Sequence, residues 1–121
     1  MIKLLFTFLF SIPATMAFAQ MEIKAEDAAN HIGDTVKVCT KIYGTRYLEQ
    51  SNRAPTFLNA GASYPNSPLT FVVFGENRPA FKNKPEEFYN NKQVCVTGKI
   101  ESYKGKPEII LISETQISIN E

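Results

Sequence analysis

Between Val36 and Tyr43 the chain alternates strictly, with Val36, Val38, Thr40 and Ile42 set against Lys37, Cys39, Lys41 and Tyr43. A two-residue period is that of a half-buried strand, here predicted to run to about Tyr47. Two further β runs, TFLNAG and LTFVVF, are separated by the turn-rich SYPNSP and read as a hairpin. QVCVTGKIESY resumes the alternation through Val94, Val96 and Ile100, with Gly98 expected to mark a bulge or sharp bend. YKGK predicts a turn at Gly105, after which Ile109 to Ile112 reads as a fifth strand, apolar on both faces. A strand of that kind needs cover outside the sheet, for which the alanines and Ile32 of the first helix, or the tail QISI, are candidates.

Two segments break the β pattern. Ala25 to His31, AEDAANH, has alanines, early acids and a following Gly33, the signature of one short helix. GENRPAFKNKPEEFYNNK carries prolines at 79 and 85 and an acidic PEEFY, which suits a single helical turn in a connector. Five strands with a connector between the third and fourth predict a mainly β fold: a five-stranded Greek-key OB barrel with a short N-terminal helix and a short helical connector between strands 3 and 4. In such a barrel the first strand neighbours both the second and the fourth. Cys39 and Cys95 then emerge on one side of the sheet, where a cross-strand disulfide is expected.

The first nineteen residues, MIKLLFTFLFSIPATMAFA, have a Lys3 head, an apolar stretch from Leu4 to Ile12 and small residues at Ala17 and Ala19. They read as a signal peptide, residues 1–19, ahead of one OB-fold domain, residues 20–121, and they are too short for a lasting membrane span. A periplasmic or secreted protein without stable membrane insertion is expected. An even cysteine count in a small exported domain supports the bridge over a metal site.

The chain has 13 basic and 12 acidic residues; without Lys3 the two balance at 12 and 12. Neutrality counts against a strongly nucleic-acid-binding protein, yet the charge is segregated. Val36 to Arg53 is basic and Pro107 to Glu121 acidic.

The runs HIGDTVKVC, PTFLNAGASYPNSPLTFVVFGENRPAF, QVCVTGKI and YKGKPEII, with QI at Gln116 and Ile117, resemble a family of small exported bacterial OB-fold domains. Members stand alone or attached to secreted nucleases, mostly without an assigned activity. The resemblance spans His31 to Ile117 and implies an OB barrel, described as nucleic-acid binding by fold, with both cysteine positions in place. Thr40 stands where that pattern has a glycine, which bears on the bend of the first strand.

No enzyme is expected. The only histidine, His31, falls at a helix end, and the acidic pairs Glu26/Asp27 and Glu86/Glu87 fall at helix starts, where acids complement the dipole. No aspartate follows Asp34, so the oxygen cluster of a calcium-dependent nuclease is missing. Neither a metal nor another cofactor is expected. The binding signal is aromatic residues among basic ones in the loops that OB domains use for single strands: Lys41, Arg46, Tyr47 and Arg53; Tyr64; Tyr103, Lys104 and Lys106. Phe57 and Tyr43 read as packing residues. The expected function is weak, sequence-tolerant binding of single-stranded DNA or RNA. The alternative is a periplasmic protein-interaction or stabilising module without nucleic-acid binding.

Overall fold

The computed structural model describes residues 21–120; the expected signal peptide lies outside the described residues. Among the described residues there are seven strands: β1 (Met21–Ile23), β2 (Thr35–Tyr47), β3 (Thr56–Ala60), β4 (Leu69–Val73), β5 (Gln93–Tyr103), β6 (Lys106–Ile110) and β7 (Ile117–Ile119). β2 pairs antiparallel with β3 and β5, β3 with β4, β4 parallel with β6, and β6 antiparallel with β5. The ring β2-β3-β4-β6-β5 is therefore closed, which is the five-stranded OB barrel. β1 adds parallel to β2 and β7 antiparallel to β5.

The two long strands make closure possible because each serves two neighbours. Thr35 to Lys41 of β2 pairs with β5, while Ile42 to Tyr47 pairs with β3 after a register shift between Ile42 and Thr45. Gly44 lies in that shift with φ of 101°, a conformation that costs a residue without a Cβ little. The bend of the first barrel strand is thus made at Gly44, four positions beyond Thr40. Through Gly98 the β2–β5 ladder runs without a shift. Gly98 serves another purpose: a Cβ there would lie 2.5 Å from Ile109 Cγ2, so its bare backbone lets β6 close against β5.

Alternation fills the interior. Val36, Val38, Ile42, Leu58, Phe71, Val94, Val96, Ile100 and Ile109 are fully enclosed, and burial of such side chains is the main favourable contribution to the fold. The N-terminal helix is a 3₁₀ helix over Ala25–His31, burying Ala25 and Ala28. At three residues per turn those two alanines share a face, and alanine is small enough for that face to press onto the barrel at Gly61. The connector holds a 3₁₀ helix (Gly75–Ala80) and the single turn α1 (Pro85–Phe88). Arg78 ties them together with a two-bond fork to Glu86 at 2.8 and 3.0 Å and a third bond to the buried Thr56 hydroxyl at 2.7 Å. Thr45 Oγ1 donates to the Glu86 carbonyl at 2.6 Å, fixing α1 to β2.

The last barrel strand differs from expectation. It begins at Lys106 and ends at Ile110, because Lys104 and Gly105, at φ of 50° and 78°, form a two-residue turn that pairs Tyr103 with Lys106. Ile112, expected within the strand, falls beyond it and is 62% exposed; of the expected cover Ile32 is 45% exposed and contributes little, whereas Ala25 and Ala28 of the helix are buried. The tail does add to the sheet, as β7 on β5.

Cys39 and Cys95 face each other in register and form a disulfide, their Cα atoms 4.0 Å apart. A bridge of this kind belongs to an oxidising environment. Among the described residues no helix is long and apolar enough to cross a membrane.

A candidate binding groove

β3 and β4 turn Leu58, Ala60, Leu69, Phe71 and Val73 inward. The alternate positions Phe57, Asn59 and Thr70 must then face out, and they form the floor of an open groove of about 660 Å³. The bulged segment of β2 raises one wall through Tyr43 and Arg46. The β5–β6 turn raises the other through Tyr103, Lys104 and Lys106, and Tyr64 stands at the rim. Tyr64 is 74% and Tyr103 59% exposed, so two rings are open to a ligand. A groove of this size with aromatic walls and a few polar groups has the makeup of a ligand site.

The groove gathers Arg46, Tyr64, Tyr103, Lys104 and Lys106 of the residues expected from the sequence. Lys41, Tyr47 and Arg53 lie outside its lining. Lys41 Nζ sits 5.1 Å over the Tyr43 ring. Tyr47 lies under the Arg78 guanidinium, 3.8 Å from ring centre to Cζ, as part of the connector latch. Arg53 stacks at 3.8 Å on Phe74 and is ion-paired with Glu76.

Arg46, Lys104 and Lys106 have no acidic partner at ion-pair distance among the described residues, unlike Arg53 and Arg78. Lys104 leans on its neighbour Tyr103, 5.4 Å from the ring centre. The left-handed backbone at Lys104 and Gly105 fixes this pair at the tip of the turn.

The floor also carries groups that the sequence reading passed over. Register aligns Asn59 with Thr70, Thr70 with Glu108, and Glu108 with Glu101, one polar row across four strands. Burial, and then the facing Glu101, pushes the Glu108 carboxyl above the ordinary carboxylate range. The available signal was a polar residue interrupting an apolar run: Asn59 in FLNA, Thr70 in LTFVV and Glu108 in PEII.

Other chemistry lies elsewhere. His31 Nδ1 is 3.1 Å from Asp34 Oδ2 at the end of the 3₁₀ helix. Among the described residues no three His, Cys, Asp or Glu side chains gather as a metal site.

No protein-family model matches the chain, and no curated protein matches it. Solved structures do. The OBody AM1L10, whose structure is of its complex with hen egg-white lysozyme, aligns with a TM-score of 0.54 and 16% identity, over 77% of this chain and 84% of that one. A protein assigned as an aspartyl-tRNA synthetase from Leishmania major Friedlin aligns with a TM-score of 0.53 and 11% identity, over 89% of this chain. This chain spans 22% of the synthetase's length. At these identities the likeness is one of fold.

Proposed function

We propose that the protein is an exported OB-fold binding module of the family it resembles, and that its groove holds single-stranded nucleic acid without catalysing a reaction. The observation that carries this reading is the pairing of free cations with open rings in one groove. Arg46, Lys104 and Lys106 lack acidic partners among the described residues and stand beside Tyr43, Phe57, Tyr64 and Tyr103. A single strand offers phosphates to the cations and unstacked bases to the rings, whereas a duplex keeps its base faces hidden. The balanced overall charge makes the binding weak, since few phosphates are neutralised. Periplasmic or secreted placement agrees with the disulfide and with the leader pattern.

The test is electrophoretic retention of single-stranded DNA, single-stranded RNA and duplex at two salt concentrations. Retention of single strands that fades with salt supports the reading, and no retention at low salt refutes it. A second reading, a protein-interaction module, draws on β1 and β7, each paired on one side only among the described residues, the kind of edge to which a partner strand adds. The OBody neighbour, bound to hen egg-white lysozyme, agrees with that use of the fold. Pull-down from periplasmic extract is its test.

A further inference from the structure

Glu108 is an expensive residue for the fold. It stands directly across the β5–β6 ladder from Glu101, and like charges in that position are destabilising. Its side chain is partly desolvated in the groove, which raises the cost of its charge. Among the described residues no Lys, Arg or His lies within ion-pair distance of it, and no side-chain hydrogen bond satisfies it. Folding gains nothing visible from a carboxylate here, so the explanation lies in what the groove receives.

A phosphate is not that ligand, because a carboxylate repels it. Phosphates belong with the cations of the groove walls, and the floor faces the other half of a nucleotide. We infer that Glu108 is a base-reading carboxylate, which accepts hydrogen bonds from the ring N–H and amino group of a guanine held in the groove. This rests on the nucleic-acid reading above and deepens it: the groove tolerates most sequences along the strand but reads one position.

The choice of guanine follows from donor patterns. An ionised carboxylate only accepts hydrogen bonds, through two oxygens side by side. Guanine alone presents two neighbouring donors, N1–H and the N2 amino group, that match both oxygens. Adenine and cytosine offer an amino group beside a ring acceptor, so only one oxygen is satisfied. Thymine and uracil carry one ring N–H flanked by two carbonyls, which a carboxylate repels. Thr70 lies on the next strand in register, about 4.8 Å away by ordinary strand spacing, where its hydroxyl is placed to donate to the guanine O6.

The experiment uses fluorescently labelled thymidine oligonucleotides of about twelve residues, within the span that OB folds cover, with the central base kept as dT or replaced by dG, dC or dA. The guanine oligonucleotide is expected to bind roughly tenfold more tightly than the all-thymidine one, the size of one good two-bond contact, with dA and dC between them. Glu108→Gln should bring the four to within about twofold of each other while keeping or tightening binding of all-thymidine, since a charge near the phosphates is gone. Glu101→Gln, outside the groove lining, should keep the guanine preference. Equal binding of all four by the unaltered protein overturns the inference alone, as does a preference that survives Glu108→Gln. No binding of any oligonucleotide overturns both this inference and the reading beneath it.

Discussion

Gly98 is the position where a single methyl group separates two opposite outcomes. Its backbone lies outside the left-handed region, so an alanine is conformationally allowed. Given room, Gly98→Ala would stabilise the protein by about 0.4–1 kcal/mol by reducing the freedom of the unfolded chain. The structure denies that room. The new Cβ would meet Ile109 Cγ2 at 2.5 Å and Gln116 Nε2 at 3.2 Å. Ile109 is fully buried and stiff at its branched Cβ, and Gln116 is held by bonds to the Thr97 and Ile110 carbonyls, both at 3.3 Å. Neither can swing away, so overpacking should destabilise by about 1–3 kcal/mol. Ile109→Ala alone should cost about 2–5 kcal/mol through the cavity it leaves. It also removes the clashing methyl, so the double variant should be less destabilised than the sum of the single changes by about 1 kcal/mol or more. Urea denaturation of the four proteins, followed by circular dichroism, reads each value. A more stable Gly98→Ala, or strict additivity, would refute the account of how β6 closes the barrel.

Removing the bridge with Cys39→Ala and Cys95→Ala, which releases a closure across 56 residues, should destabilise by roughly 4 kcal/mol on the chain-entropy model, visible as a lower urea midpoint. Hydrogen bonding to Arg78 is the leading cause that holds the Glu86 carboxyl below its ordinary value of 4.5, so its contribution is present at neutral pH and is lost as pH falls through that lowered value. Glu86→Gln should therefore destabilise the protein at neutral pH by about 1–3 kcal/mol, read as a lower urea midpoint, and converge with the unaltered protein once the pH has fallen below that lowered value, where Glu86 is itself protonated and neutral. Replacing Arg46 and Lys104 by alanine should flatten the salt dependence of single-strand binding. Tyr103→Ala should cost about 1–3 kcal/mol of affinity and leave the salt slope nearly intact, as titrations at several salt concentrations will read.

Much of the architecture is readable from the chain because a small barrel imposes a two-residue period wherever one face is buried. Val36, Val38, Val94, Val96 and Ile100 announce the two long strands, and the parity of Cys39 and Cys95 within them announces the bridge. The tail strand Ile117–Ile119 and the leading strand Met21–Ile23 are too short to establish a period, and they exist only because β5 and β2 offer edges. Gly44 and Gly98 show the limit of reading glycine alone. One supplies a positive φ and the other a missing Cβ, and only the packing partner tells them apart.

The groove divides along the same line. Its rim residues, Tyr64, Tyr103, Lys104 and Lys106, stand in or directly beside turns whose composition exposes them, so their place near a ligand is legible from turn chemistry. Tyr47 and Arg53 have the same composition but meet Arg78, Phe74 and Glu76, contacts set by the connector rather than by anything adjacent in sequence. The floor is the reverse case. Asn59, Thr70, Glu108 and Glu101 come from four strands, and what makes them a unit is register, which no single segment encodes. Each is an unremarkable outward polar position by itself. Aligned, they place an unpaired carboxylate between a hydroxyl and a like charge at the bottom of an aromatic groove. An arrangement that weakens the β5–β6 pairing while facing an open groove of about 660 Å³ is intelligible as a site that trades stability for recognition.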